Sequence, residues 1–187
     1  METVLSICAG IGLAAACGFR VFVPLLVMSI AAVSGHLQLS GHFAWIGTYP
    51  ALLAFSVATV LEISGYYVPW LDHLLDTIAT PAAIVAGAIV SASIFTDISP
   101  FLRWTLAVVA GGGAAGVVQG ATVATRAFST STSGGLANPV VSTAELGLSV
   151  LTSVLALVLP VLALALLLGL GLWIASKLWR RRRTKAA

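Results

Sequence analysis

The chain has 187 residues, 59% of them hydrophobic and 8% charged, with a mean hydropathy of +1.08. A soluble domain carries about a quarter of its residues as charged side chains, so this composition excludes a soluble globular enzyme. The net charge of +3 is concentrated at one end, where Lys177, Arg180, Arg181, Arg182, Arg183 and Lys185 hold most of the nine lysines and arginines.

At about 20 residues per membrane crossing, the length corresponds to about five spans. The expected fold is all-α: a polytopic transmembrane helical bundle with broken or re-entrant segments and one interfacial amphipathic helix. Residues 1–178 would form a single transmembrane domain and residues 179–187 a basic tail. Residues 4–34 are apolar except at Gly18, Phe19 and Arg20. As one helix they would run ~46 Å, longer than the ~30 Å hydrocarbon core, so the segment is either tilted or broken near Gly18. Gly10, Ala14 and Gly18 make a small-residue row suited to close helix packing. The two cysteines, Cys8 and Cys17, lie in the same apolar run and read as small buried residues.

A mixed connection over 34–49 leads to a second span over 50–68, which carries Glu62 and ends in Tyr66 and Tyr67. In residues 69–80, Leu71, Leu74, Leu75 and Ile78 repeat at helical spacing opposite Asp72, Asp76 and Thr80, the pattern of an interfacial helix. Pro81 opens the third span, and Ala83, Gly87 and Ser91 form its small-residue row. The fourth, over 101–125, contains Gly112, Gly116 and Gly120 at spacing four. Residues 142–177 read as one span bent near Pro160, or as a short re-entrant piece followed by a full span.

Between these runs, residues 126–141 (RAFSTSTSGGLANPVV) are polar and rich in hydroxyls. Gly134 and Gly135 permit the positive φ angles of an anion-binding backbone nest, and Asn138 before Pro139 can cap the next helix. Irregular backbone is tolerated at membrane depth only when buried in protein or lining a wet cavity. The segment is therefore either a surface loop or the wall of a polar site.

Four ionisable side chains stand inside apolar segments: Arg20, Glu62, Arg126 and Glu145. Each costs ~2.5–3.5 kcal/mol at the centre of a membrane helix. They form either structural ion pairs or a polar site in which the arginines face a solute, and the planar guanidinium fork suits an oxyanion. Residues 9–14 (AGIGLA) resemble residues 110–115 (AGGGAA), each followed by an arginine, a proline and a glutamate. If the two halves were a repeat, three intervening crossings would make it inverted.

Asp72, His73 and Asp76 form a second cluster that could serve a metal or a proton, although three ligands from one turn rarely complete a site. The literal G-x-G-x-x-A at residues 10–15 follows no strand and is not read as a dinucleotide fingerprint. No nucleophile triad, P-loop or zinc spacing is present, so no catalytic residue and no cofactor is assigned. The basic tail follows an apolar run containing Trp173, which the positive-inside rule reads as a cytoplasmic C-terminus in the inner (plasma) membrane rather than a nucleic-acid arm.

Three stretches carry a family resemblance: CGFRVFVP at 17–24, VPWLDHLLDT at 68–77 and TSTSGGLANP at 130–139. The chain resembles the bacterial membrane family catalogued as domain of unknown function 4126. The resemblance implies a small integral membrane protein and carries no activity. The expected function is a transporter or channel for a small anionic solute. Its path would use Arg20, Glu62, Arg126, Ser129, Thr130, Ser131, Thr132, Ser133, Gly134, Gly135, Asn138 and Glu145. The alternative is a membrane scaffold or lipid-handling module with structural ion pairs; an enzyme acting on lipid is a third reading. Expected partners are the lipid bilayer, the solute and other copies of the chain, packed through the small-residue faces.

Overall fold

The computed structural model describes residues 1–184; the side chains at 69–73, 76, 174, 175 and 178–184 lie outside what it describes. The helices are α1 (Glu2–Cys17), α2 (Phe22–Val33), a 3₁₀ helix (Gly41–Gly47), α3 (Tyr49–Gly65) and α4 (Pro69–Ile94). They continue with α5 (Pro100–Leu106), a π-helical stretch (Ala107–Gly112), α6 (Gly113–Ser133), α7 (Asn138–Val158) and α8 (Pro160–Thr184). No strand occurs among the described residues, and the helical bundle expected from composition is what forms.

Three helical segments are long and apolar enough to cross a membrane: Thr77–Ile94, Pro100–Ser133 and Asn138–Val158. The 3₁₀ helix and α3, bent by 64°, make a fourth if taken as one span. This count of three or four stands against the about five expected from length, chiefly because residues 4–34 form two helices that are each shorter than a span. They fold back on themselves. The Gly10 carbonyl, in α1, accepts a hydrogen bond from Ser91 Oγ at 3.0 Å, while Met28 Sδ, in α2, accepts one from Ser93 Oγ at 3.3 Å. Both arms therefore meet the same end of α4. The break over residues 18–21 is the tip of a re-entrant hairpin, and Arg20 sits on it.

This hairpin is the centre of the bundle. Residues Cys8 to Cys17 of α1 are buried except for Ile11, and Leu13, Ala14, Ala16 and Cys17 are wholly inaccessible. Small residues make such close packing possible. A Cβ on Gly10 would lie 2.5 Å from the Phe95 ring, and one on Gly12 would lie 2.8 Å from Ala156 Cβ. One on Gly18 would lie 2.5 Å from the Ala115 carbonyl oxygen. Gly87 of α4 packs against Ala115 and Ala14, and a Cβ on Gly112 or Gly116 would lie 3.3 Å from the Ile84 side chain. Gly120, the third glycine of that row, faces open space.

Four other expectations are corrected. Residues 69–80 are not a separate interfacial helix but the first turns of α4, which continues through Pro81. A proline removes a single backbone donor, and neighbouring groups compensate for that in membrane helices. Leu74 and Ile78 of the apolar stripe face outward. The apolar run after residue 141 is not one bent span: α7 is itself of span length and ends at Leu159 (φ −135°, ψ 66°), from which α8 starts afresh. The hydroxyl-rich stretch is helical to Ser133, and only residues 134–137 form a turn. Lastly, α4 runs antiparallel to α1 (Gly10 at Ser91, Ala14 at Gly87) and to the π-helical stretch and α6 that continues it (Gly111 at Gly87, Gly116 at Ile84). Thus α1 and α6 run the same way, and no inverted relation links their AGIGLA and AGGGAA stretches.

Candidate functional site

The broken hairpin exposes backbone groups that a continuous helix would have satisfied, and side chains from neighbouring helices take them up. The Glu62 carboxylate, from α3, accepts the Val21 N–H at 2.8 Å and the Phe22 N–H at 3.1 Å. It is a capping carboxylate supplied in trans, placed where the positive end of α2 favours it. Pro24, in the same first turn, has no N–H to satisfy. At the other side of the break, Ser149 Oγ of α7 donates to the Ala16 carbonyl at 3.1 Å. Replacing Glu62 with alanine removes the cap; the expected loss is ~1–2 kcal/mol, read as a lowered midpoint of unfolding in mixed micelles, with Glu62→Gln losing less.

Around the tip, the chain assembles the charges that the sequence singled out. Arg20 is 1% exposed, Arg126 and Glu145 are each 4% exposed and Glu62 is 8% exposed. Arg126 chelates Glu145: its Nε lies 3.0 and 3.1 Å from the two carboxylate oxygens, and its Nη2 bonds Oε2 as well. Arg20 Nη2 donates to the Ser142 carbonyl at 3.0 Å and to the Ser142 hydroxyl, and stands 3.7 Å from Glu145 Oε2. Both guanidinium carbons lie against the Tyr66 ring, 3.9 and 4.1 Å from its centroid, in cation–π contact.

Two consequences follow. Among the described residues, both arginines lie within 4 Å of Glu145, while Glu62 is engaged by the N-terminus of α2. And Arg20 Nε and Nη1 are buried with no hydrogen-bond partner. Buried donors left unsatisfied cost about 1–3 kcal/mol each, more when charged, so these two unpartnered nitrogens are the chemically informative feature of the site.

The hydroxyl run contributes less than its composition promised. Ser131 and Thr132 donate to the Phe128 carbonyl and Ser133 donates to the Ser129 carbonyl, all within α6. Gly134 and Gly135 do adopt positive φ (63° and 89°), but the Leu136, Ala137 and Asn138 N–H groups are already bonded within the turn. Asn138 does not cap α7; it is the first helical residue, and its amide donates to Thr130 Oγ1 at 3.1 Å. Ser129 is the member of the run closest to the charges in sequence, one turn beyond Arg126. It is buried, and its Oγ has no hydrogen-bond partner. The side chains of Asp72, His73 and Asp76 lie outside the described residues. Among the described residues no group of three or more His, Cys, Asp or Glu side chains could hold a metal.

Sequence reasoning missed Tyr66 and Ser142. Tyr66 marks only the end of a span in the sequence, yet it stands one turn after Glu62 on the same helical face. Ser142 begins a buried polar stripe on α7 with Glu145, Ser149 and Ser153, facing a second one on α6 made by Gln119, Thr122, Arg126 and Ser129. Helical spacing of polar residues within apolar helices was the available signal.

A cavity of about 310 Å³ adjoins this cluster between α6 and α7. Its rim includes Thr125, Val140, Ala144 and Leu148, its floor Thr122 and Glu145, and Phe19 of the hairpin tip closes one side.

The chain belongs to the family described as domain of unknown function (DUF4126), whose model matches residues 7–181. No curated protein and no solved structure matches it.

Proposed function

We propose that this member of the DUF4126 family is a membrane transporter or channel for a small anionic solute, with Arg20 at the re-entrant tip as the group that recognises it. The supporting observation is that two nitrogens of the buried Arg20 guanidinium have no acceptor. An oxyanion would supply the acceptor. Re-entrant segments placed between span-length helices are a recurrent way of building a solute site at membrane depth. The basic residues after Trp173 favour the inner membrane with a cytoplasmic C-terminus, and no catalytic step is assigned.

The test is anion flux into liposomes, screened over chloride, nitrate, acetate and phosphate. Wild-type protein should conduct at least one of them, and Arg20→Gln should reduce that flux ~10-fold or more while the protein still purifies as a folded species. Unchanged flux in folded Arg20→Gln would sink the proposal. A second reading, a non-transport membrane module in which the charges only hold the hairpin in place, draws support from the Glu62 cap and the Arg126–Glu145 chelate. It expects no flux of any anion.

A further inference from the structure

Resting on the anionic-solute reading, we infer that the solute is an amphiphile, a carboxylate or phosphate bearing an apolar tail, which reaches the arginine pair sideways from the lipid through the gap between α6 and α7. The argument starts from where the cavity lies. Glu145 is seven residues into α7, about 10 Å from its start, and Thr122 is eleven residues before the end of α6, about 17 Å. Both positions fall well inside segments apolar enough to cross a membrane. The cavity between them therefore opens on the lipid-facing flank and not at an end of the bundle.

Its lining fits that position. Val140 and Leu148 at the rim are 72% and 45% exposed, so they present apolar surface outward. Ala121 and Ala144 are exposed beside them and leave the mouth wide. The polar groups are few: Thr125 at the rim, and Thr122 and the Glu145 carboxylate on the floor. A free, fully hydrated inorganic ion gains nothing from such walls, whereas an alkyl chain can lie along them while its headgroup points at the floor. The volume, about 310 Å³, is at the lower end of the range for small-molecule sites.

The floor explains the headgroup. Glu145 forms the inner end of the cavity, and Arg126 and Arg20 stand directly behind it, chelated and 3.7 Å away respectively. Glu145 is thus a tethered carboxylate occupying the place that a solute oxyanion would take. A shift of its side chain would open Arg126 to the cavity, with Arg20 Nε and Nη1 still short of acceptors. An amphiphilic anion would then exchange with the tethered carboxylate.

The experiment measures saturable binding of radiolabelled dodecyl phosphate to nanodiscs containing the full chain, over empty nanodiscs, with dodecanol and inorganic phosphate as parallel ligands. Dodecyl phosphate should bind, dodecanol at least ~10-fold more weakly, and Arg20→Gln should weaken dodecyl phosphate ~10-fold or more. Because Arg20 is buried and its variant could misfold, Ala144→Trp at the exposed rim is the second arm; it should block the mouth and cost a similar factor without lowering thermal stability. Equal binding of dodecanol, or full binding by Ala144→Trp, overturns lateral entry of an amphiphile. If inorganic phosphate binds with Arg20 dependence and Ala144→Trp has no effect, the small-anion transporter stands and only the amphiphile falls. If none of the three ligands shows Arg20 dependence, the recognition role of Arg20 falls with it.

Discussion

Replacing Glu145 with leucine is expected to lower the stability of the folded protein by roughly 3–5 kcal/mol, the cost of removing one partner from a buried ion pair. Three features place it at the high end. Arg126 loses its chelating carboxylate, Arg20 loses the only acidic group within 4 Å among the described residues, and both are 4% exposed or less. The Tyr66 ring remains as the common contact, and a cation–π interaction contributes only ~1–2 kcal/mol when desolvated. Unfolding in mixed micelles reads the loss directly. The double variant Arg126→Met/Glu145→Leu tests the cause, since taking out both partners of a buried pair is far less costly than taking out one. It should recover most, but not all, of the deficit, the remainder being the loss of Glu145 beside Arg20. If the double variant is as unstable as Glu145→Leu, the pair is not what Glu145 contributes.

The same quartet shows what was readable in the sequence. Arg20, Glu62, Arg126 and Glu145 were identifiable because an ionised group in an apolar run has to find a partner, and the structure brings all four to one place. Their division of labour was not readable. Two arginines and two glutamates suggest two pairs; the protein makes one chelate, shares it with the second arginine, and spends the other carboxylate on the N-terminus of α2. That use of Glu62 depends on the break at residues 18–21, and periodicity is blind to it, since the chain is helical and apolar on both sides. A run of 31 residues is compatible with a tilted span or a hairpin, and only contacts with α4 decide between them.

Misplacing irregularity had a related cause. Serine and threonine suggest irregular backbone because their hydroxyls can compete for backbone groups. Inside a helix those hydroxyls bond the carbonyl one turn back, as Ser131, Thr132 and Ser133 do, and the polarity of the stretch then says nothing about its backbone. Pro81 misled in the same direction. A proline in an apolar helix signals a missing donor, and the rest of the helix can outweigh that.

Gly18 offers the sharpest test of the hairpin itself. A Cβ there would stand 2.5 Å from the Ala115 carbonyl oxygen, 2.6 Å from Val118 Cβ and 2.9 Å from the Gln119 nitrogen. Two of these three atoms are backbone of α6, so relief requires moving α1 away from α6 and not merely turning a side chain. Gly18→Val should therefore cost about 3 kcal/mol, the upper part of the range for overpacking. Gly120→Ala, two turns further along the same α6 glycine row as Gly112, meets nothing within 4 Å. It should be neutral or slightly stabilising, because alanine is favoured over glycine in a helix by up to ~1 kcal/mol. The contrast separates a requirement for close approach from a general effect of glycine content. It also reaches the site, because Arg20 is two residues beyond Gly18 on the same tip. A displaced tip would carry the guanidinium away from Ser142 and Glu145, so folded Gly18→Val should lose anion flux to about the extent that Arg20→Gln does. Flux preserved in a destabilised Gly18→Val protein would show that the position of the tip does not govern the site.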